Sequence, residues 1–137
     1  KFDNILIDFK ETCNIYLIDF GFCSISSNNT SLKNPYRGTL LYASPELINK
    51  DTIELNAYKC DTWAIGIIFY CLLMDRYPFK NKNEILECNI KTNKCKYFDD
   101  DTYKILLNLL NKDIEPRWDI FQLESFINEI DLKKYKN

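Results

Sequence analysis

An apolar run from Ala64 to Met74, "AIGIIFYCLLM", limits the folds open to this chain more than any other stretch. It is too short to span a bilayer, which takes about 20 apolar residues. Because the run has no polar face, it predicts a fully buried helix over about residues 59 to 74. Asp61 is predicted to lie in the first turn of that helix, where a carboxylate suits the positive end of the helix dipole. A chain of 137 residues is long enough for one domain packed around this helix.

Charge and cysteine content narrow the possible partners and the compartment. The net charge is only −2, so neither a nucleic acid nor a membrane surface is expected as a partner. The chain has six cysteines and no histidine. The absence of any C-x-x-C pair disfavours a structural zinc site. Cysteines spaced in this way are typical of a reducing environment, and we expect an intracellular, cytoplasmic protein.

The N-terminal part of the chain has the pattern of a β-hairpin. Two short apolar runs, "NILIDF" and "NIYLIDF", flank the polar stretch "KETCN". From Gly21 to Gly38 the chain is rich in Ser, Asn and Thr, which predicts a long loop of functional importance. The predicted class is therefore α+β and mostly α, with a small hairpin followed by a helical body.

Four further helices are predicted after the long loop. In "SPELINK" we expect Ser44 as the N-cap and Pro45 in the first turn. A short amphipathic helix is predicted over Glu84–Ile90, and "DTYKILLNLLNK" predicts another that Asp101 caps. The last helix follows Pro116, and its predicted apolar face consists of Ile120, Leu123, Phe126, Ile127 and Ile130.

Three polar residues near the hairpin could carry chemistry. Asp19 ends the second strand, and the following Gly21 lets the chain turn so that the carboxylate oxygens, which suit Mg²⁺, face a cleft. Asn4 begins the first strand, so a hairpin would place it beside Asp19. Lys1 could neutralise charge on a phosphoryl group. The ordinary alternatives are a turn aspartate, an asparagine that caps a turn, and a solvated lysine.

Several short motifs, taken in order, resemble the C-terminal lobe of a eukaryotic protein kinase. All three glycines of the chain fall on motif positions. The motifs depart from the usual pattern at Phe2 (for Pro), Ser44 (for Ala) and Ala64 (for Ser). The central helix and the loop after it are most similar to the calcium/calmodulin-dependent group. The matching stretches are "KFDN" at 1–4, "DFG" at 19–21, "GTLLYASPE" at 38–46, "DTWAIG" at 61–66, "YPF" at 77–79, and Arg117.

The resemblance implies catalytic and cofactor-binding roles for four residues. Asn4 and Asp19 would hold the Mg²⁺ ions that bridge the phosphates of ATP. Lys1 would contact ATP and stabilise the transferring phosphate, and a lysine at this place favours Ser/Thr specificity. Thr39 would form a hydrogen bond near the catalytic base and Lys1. The alternative for Thr39 is an ordinary loop threonine.

The resemblance also implies structural and regulatory residues. Glu46 and Arg117 would form a buried ion pair, and Asp61 would accept backbone N–H groups of the catalytic loop. Gly21 would be the hinge into the activation loop. In that loop the resemblance implies phosphorylation at Thr30 or Ser31, which would order the segment. The alternative is an unmodified polar loop.

As a domain, residues 1–137 are expected to be part of a kinase domain. They would comprise the end of the catalytic loop, an activation segment at 19–46 and a helical body at 59–131. The H-R-D motif with its catalytic base, and the N-lobe, would lie outside the chain. The isolated segment is therefore expected to be inactive, and its hairpin side to expose the apolar surface on which the N-lobe packs. The parent would transfer the γ-phosphoryl group of ATP to Ser or Thr of protein substrates.

Two other functions are compatible with parts of the sequence. A pseudokinase or scaffold would bind partners through the helical body, although intact Asp19, Gly21 and Asn4 favour activity. An unrelated helical interaction domain would leave the order of the motifs as coincidence. A hairpin that joins Asn4 to Asp19 would favour the kinase hypothesis over this last alternative.

Overall fold

The computed structural model describes residues 1–23, 38–49, 55–91 and 99–130. The predicted phosphorylation sites Thr30 and Ser31 lie outside these residues. Two short 3₁₀ turns, Phe2–Asn4 and Leu40–Tyr42, precede the first strand and the first helix. The strands and helices are β1 (Ile5–Asp8), β2 (Asn14–Leu17), α1 (Pro45–Ile48), α2 (Ala57–Met74), α3 (Lys82–Glu87), α4 (Asp100–Leu109) and α5 (Ile120–Glu129).

The predicted hairpin is confirmed. Strands β1 and β2 pair antiparallel, with Ile5 opposite Leu17 and Asp8 opposite Asn14. Both faces of this two-stranded sheet carry apolar side chains that stay in contact with solvent. Leu6 and Ile7 are each 51% exposed. The expectation that the hairpin side presents apolar surface is therefore also confirmed.

Helix α2 begins two residues earlier than predicted. The side chain of Asn56 accepts a hydrogen bond from the backbone N–H of Lys59 and caps the helix. Asp61 consequently lies one turn inside α2, and the prediction that it occupies the first turn is wrong. The continuous apolar run starts only at Ala64, so the sequence pattern did not reveal where the first turn of α2 begins.

The prediction that α2 is fully buried is also wrong. Trp63, Ile67 and Tyr70 are buried in the core, but Leu72 on another side of the helix is 71% exposed. By length and composition alone α2 could cross a membrane. Since its most buried side chains pack against α4 and neighbouring elements, we interpret it as a core helix.

Both C-terminal helices begin with a capping box. In α4, the Asp99 carboxylate accepts from the N–H of Thr102, and the Thr102 hydroxyl accepts from the N–H of Asp99. Asp99 is therefore the N-cap, and the prediction of Asp101 is wrong because Asp101 already lies in the first turn. In α5, Asp119 and Gln122 form the same reciprocal pair.

Two further helix boundaries and faces differ from prediction. α3 covers Lys82–Glu87 instead of Glu84–Ile90, because Asn81 caps it and Cys88 ends it in a left-handed conformation. On α5, Leu123 is buried, whereas Ile120 and Ile127 are exposed. The buried face of α5 is thus narrower than the sequence pattern indicates.

The main core lies between α1, α2, α3 and α4. Trp63 stacks on Phe79 with ring centroids 5.8 Å apart, and Phe79 itself is 1% exposed. A smaller cluster joins α4 to α5. The buried members of the main core are Ala43, Ile48, Trp63, Ile67, Tyr70, Phe79, Ile85, Leu106 and Leu110, and those of the smaller cluster are Ile105, Leu109 and Leu123.

Gly66 permits the close approach of α2 to the end of α4. A Cβ atom at this position would lie 2.8 Å from Leu110 Cδ2 and 2.9 Å from Leu109 Cβ. We expect Gly66→Ala to lower the free energy of unfolding by about 1–3 kcal/mol, since the overpacked helices must separate. Urea unfolding of the kinase domain measures this change. Ala64→Gly in the same helix is the control, with an expected loss of about 0.5–1 kcal/mol from backbone entropy alone. Unchanged stability of Gly66→Ala would show that the helices are not in tight contact.

Candidate functional site

The hairpin brings Asn4 and Asp19 to the same rim. The backbone N–H of Ile18 donates to the carbonyl of Asn4 at 3.0 Å, which continues the pairing of β1 and β2 by one residue. Asp19 is the next residue along the chain. An amide oxygen and a carboxylate oxygen are thus supplied from neighbouring strands at one end of the sheet.

Asp19 has an unusual backbone conformation. Its φ is 63°, in the left-handed region that Asp and Asn enter more readily than most residues. Its Oδ1 accepts a hydrogen bond from the N–H of Gly21 at 3.4 Å. The turn predicted at Gly21 is confirmed, since the N–H of Cys23 donates to the carbonyl of Phe20 at 3.0 Å and closes a turn around Gly21 and Phe22. A Cβ atom at Gly21 would lie 3.3 Å from Asp19 Oδ1, so the glycine leaves room for the carboxylate.

Lys1 belongs to the same end of the molecule. The N–H of Asn4 donates to the carbonyl of Lys1 at 3.0 Å, which closes the first 3₁₀ turn. The ammonium group lies 3.8 Å from the carboxylate of Asp3, whose side chain is largely exposed. Such a surface pair is weak, about 0–1 kcal/mol, so Lys1 can turn toward another anion at little cost.

Within the described part of the chain, Thr39 and Asp61 do not form the hydrogen bonds that the resemblance implies for them. Among the residues that the structure describes, the Thr39 hydroxyl forms no hydrogen bond with Lys1. The backbone carbonyl of Thr39 instead accepts a hydrogen bond from the N–H of Tyr42 at 3.1 Å. Asp61 likewise accepts no N–H within the described ranges. Although the residue is exposed, surrounding protein desolvates the carboxyl group and raises its pKa.

Glu46 and Arg117 lie together in the interior. The guanidinium group donates from NH1 to Oε1 at 2.6 Å and from NH2 to Oε2 at 2.9 Å, a bidentate pair. Arg117 is fully buried. Its remaining donors reach the carbonyl groups of Asn111, Lys112 and Lys59. The pair therefore joins α1 to the loop before α5.

The environment of the ion pair fixes its charge state. Burial alone would raise the pKa of Glu46, but the hydrogen bonds and the positive charge of Arg117 outweigh it and hold this pKa below its ordinary value. The thiol of Cys60 donates to Glu46 Oε1 at 3.3 Å. Burial raises the pKa of Cys60 to about 12, so the thiol stays protonated and can serve as a donor.

Two tyrosines connect the candidate site to the helical body. The hydroxyl oxygens of Tyr42 and Tyr77 are 2.8 Å apart, and their rings meet edge to face with centroids 5.7 Å apart. The N–H of Phe2 donates to the Tyr42 hydroxyl at 3.4 Å. Desolvation and the hydrogen bond to Tyr77 raise the pKa of Tyr42 to about 12, so its hydroxyl is neutral.

Four further residues with notable contacts were not predicted from the sequence: Cys60, Tyr42, Tyr77 and Lys59. Cys60 directly precedes "DTWAIG" and Tyr42 lies within "GTLLYASPE". Their closeness to these motifs was the one sign that they could matter. Tyr77 begins the "YPF" motif, which carries no chemical signal of its own. Lys59 donates from Nζ to the carbonyl groups of Ile114 and Glu115 at 2.8 Å each, a contact between residues far apart in sequence that no local pattern indicates.

The rim has the donor chemistry of a hard-cation site. Mg²⁺ is usually held by one or two protein oxygen ligands, with water and substrate phosphates completing its coordination. Asn4 and Asp19 could supply two such ligands, and Lys1 could supply a positive charge for the phosphates. The residues present therefore fit a magnesium–nucleotide complex.

Comparison with known proteins agrees with this chemistry. The family model described as the protein kinase domain matches residues 1–126. Serine/threonine-protein kinase PSK1 of Saccharomyces cerevisiae is 31% identical over 85% of this chain and 8% of its own length. Calcium-dependent protein kinase 5 of Plasmodium falciparum is 34% identical over 90% of this chain and 22% of its own length.

A second calcium-dependent protein kinase 5, from Plasmodium berghei, is 32% identical over 100% of this chain and 25% of its own length. The chain thus spans a quarter or less of each of these relatives. The family match covers most of the chain, and the relatives are named as protein kinases, two of them as calcium-dependent. This chain belongs to the eukaryotic protein kinase family.

Proposed function

We propose that this segment is part of the C-terminal lobe of an active protein kinase and provides the magnesium- and phosphate-binding half of its catalytic site. The observation that carries this proposal is the pairing of Ile18 with Asn4, which brings Asn4 and Asp19 to one rim. Membership of the protein kinase family supports a Mg²⁺-binding role for these two oxygens, since ATP and Mg²⁺ are the cofactors of protein kinases.

In this proposal each residue has a distinct task. Asn4 and Asp19 hold Mg²⁺, which neutralises negative charge on the ATP phosphates. Lys1 orients the γ-phosphoryl group and stabilises the charge that develops during transfer. The substrate is the hydroxyl group of Ser or Thr in a protein. Its proton goes to a carboxylate base outside residues 1–137, so this segment by itself does not turn over.

The apolar hairpin has a role in the same proposal. Exposed side chains on both faces of β1 and β2 would be covered by the N-lobe, which also supplies the remaining ATP contacts. Asp61 would receive backbone N–H groups from the catalytic loop, because its desolvated carboxylate has no such donor among the described residues. Phosphorylation at Thr30 or Ser31 would order the activation segment.

The test is Asp19→Asn in an intact kinase domain that contains this segment. We expect kcat/KM for phosphorylation of a serine peptide to fall at least about 10–100-fold, the loss that changes in the outer shell of a metal site already cause. Magnesium-dependent ATP binding, followed by titration calorimetry, should weaken in parallel. Asp100→Asn, at an exposed position in the first turn of α4, is the matched control and should behave as the wild type.

Normal turnover by Asp19→Asn would exclude the metal role. A wild-type domain that folds but neither binds ATP nor phosphorylates any peptide would favour the scaffold function instead.

A further inference from the structure

The Tyr42 hydroxyl joins three parts of the chain that are distant in sequence. It accepts from the N–H of Phe2, which is 40 residues away, and shares a hydrogen bond with Tyr77, 35 residues away. A phenol has one hydrogen and two acceptor lone pairs, so one hydroxyl can serve both neighbours. This contact is the link between the first 3₁₀ turn and the loop after α2.

The loop that carries Tyr77 is firmly attached to the core. It begins at Asp75, which ends α2 in a left-handed conformation with φ 51°. Two residues after Tyr77, Phe79 is buried and stacks on Trp63. The backbone on either side of Tyr77 is therefore held by the end of α2 and by the buried Phe79.

The other end of the link lies at the candidate site. Phe2 follows Lys1 and is the first residue of the 3₁₀ turn that ends at Asn4, and the N–H of Asn4 donates to the carbonyl of Lys1. Tyr42 also follows Thr39 by one 3₁₀ turn. A displacement of Phe2 would consequently move both the phosphate-binding lysine and the metal-binding asparagine.

We propose that Tyr42 and Tyr77 are positioning residues, whose paired hydroxyl groups hold the turn carrying Lys1 and Asn4 in its productive place. This inference rests on the proposed kinase function. Neither tyrosine touches the reacting groups; each acts through the backbone of Phe2. Catalysis depends on such placement, because small displacements of a positioned group reduce the rate strongly.

The experiment uses an intact kinase domain with Tyr77→Phe, Tyr42→Phe and the double variant. One hydrogen bond contributes about 0.5–1.5 kcal/mol, and we expect kcat for peptide phosphorylation to fall about 2–12-fold in each single variant. KM for the peptide should change little. The double variant should be no slower than Tyr42→Phe, because both changes break the same link. Tyr58→Phe, at an exposed position on α2, is the control and should retain the wild-type kcat.

A readout independent of activity is amide hydrogen exchange at Phe2, which should become faster in Tyr77→Phe. The inference is overturned if both single variants keep the wild-type kcat, if the rate losses multiply in the double variant, or if only the melting temperature falls. Asp19→Asn, assayed in parallel, separates the two proposals. Loss of activity in Asp19→Asn with normal Tyr42→Phe and Tyr77→Phe overturns the positioning role alone. Full activity of Asp19→Asn overturns the proposed function and the inference with it.

Discussion

Arg117→Ala is expected to lower the free energy of unfolding of the kinase domain by about 3–5 kcal/mol, the usual effect of removing one partner from a buried ion pair. The substitution would leave the Glu46 carboxylate in the interior without its bidentate partner, while the thiol of Cys60 still donates to Oε1. It would also remove the guanidinium group that lies 4.9 Å from the ring centroid of Trp63.

Urea unfolding followed by circular dichroism measures this loss. Arg76→Ala, at an exposed position, is the matched control and should change stability by no more than about 0.5 kcal/mol. Arg117→Lys should be intermediate, because an ammonium group cannot reproduce the bidentate geometry. A loss below about 1 kcal/mol for Arg117→Ala would contradict a stabilising role of the pair.

The dependence on pH gives an independent check of the same pair. Because the folded protein holds the pKa of Glu46 below its ordinary value, the contribution is present above the ordinary glutamate range. It is lost as the pH falls through the depressed value. The stability difference between wild type and Arg117→Ala should therefore shrink at acidic pH.

Trp63→Ala is expected to cost a similar amount, about 3–5 kcal/mol, because it empties the largest buried side-chain volume of the core. Trp63 is 0% exposed, stacks on Phe79 and contacts Arg117. Its loss would remove support from both the aromatic stack and the ion pair.

Trp63→Phe is the informative companion variant. The indole Nε1 is buried with no hydrogen-bond partner among the described residues, so phenylalanine removes an unsatisfied donor along with some volume. We expect Trp63→Phe to lose clearly less stability than Trp63→Ala. Phe121→Ala, at an exposed position on α5, is the control and should stay near the wild type. Equal losses for the two Trp63 variants in urea unfolding would show that packing volume is not the dominant contribution.

Much of the fold could be predicted because local patterns determine it. Two short apolar runs on either side of a polar stretch specify the hairpin, and Ser44 followed by Pro45 marks the start of α1. Capping was harder to predict. Asp99 and Asp101 are chemically identical candidates, and only the reciprocal bond with Thr102 selects Asp99.

The candidate site was predictable only as far as the hairpin and the motifs reach. Asn4 and Asp19 could be placed together because antiparallel pairing brings strand ends into contact. The tyrosine link and the Cys60–Glu46 bond depend on side chains that meet through tertiary packing, which leaves no periodic trace in the sequence. The exposed side of α2 could not be predicted for a related reason. A continuous apolar run does not reveal which face of the helix packs against another element.

The Glu46–Arg117 pair also constrains the order of folding. The two residues are 71 positions apart, so this ion pair cannot join α1 to the loop before α5 until the chain has been synthesised beyond Arg117. The hairpin is different, because its two strands are close in sequence and can pair before the rest of the chain is made. Closing so long a loop is entropically unfavourable and slow compared with forming a hairpin. On a ribosome, the end of the activation segment would therefore be among the last parts of this region to become fixed.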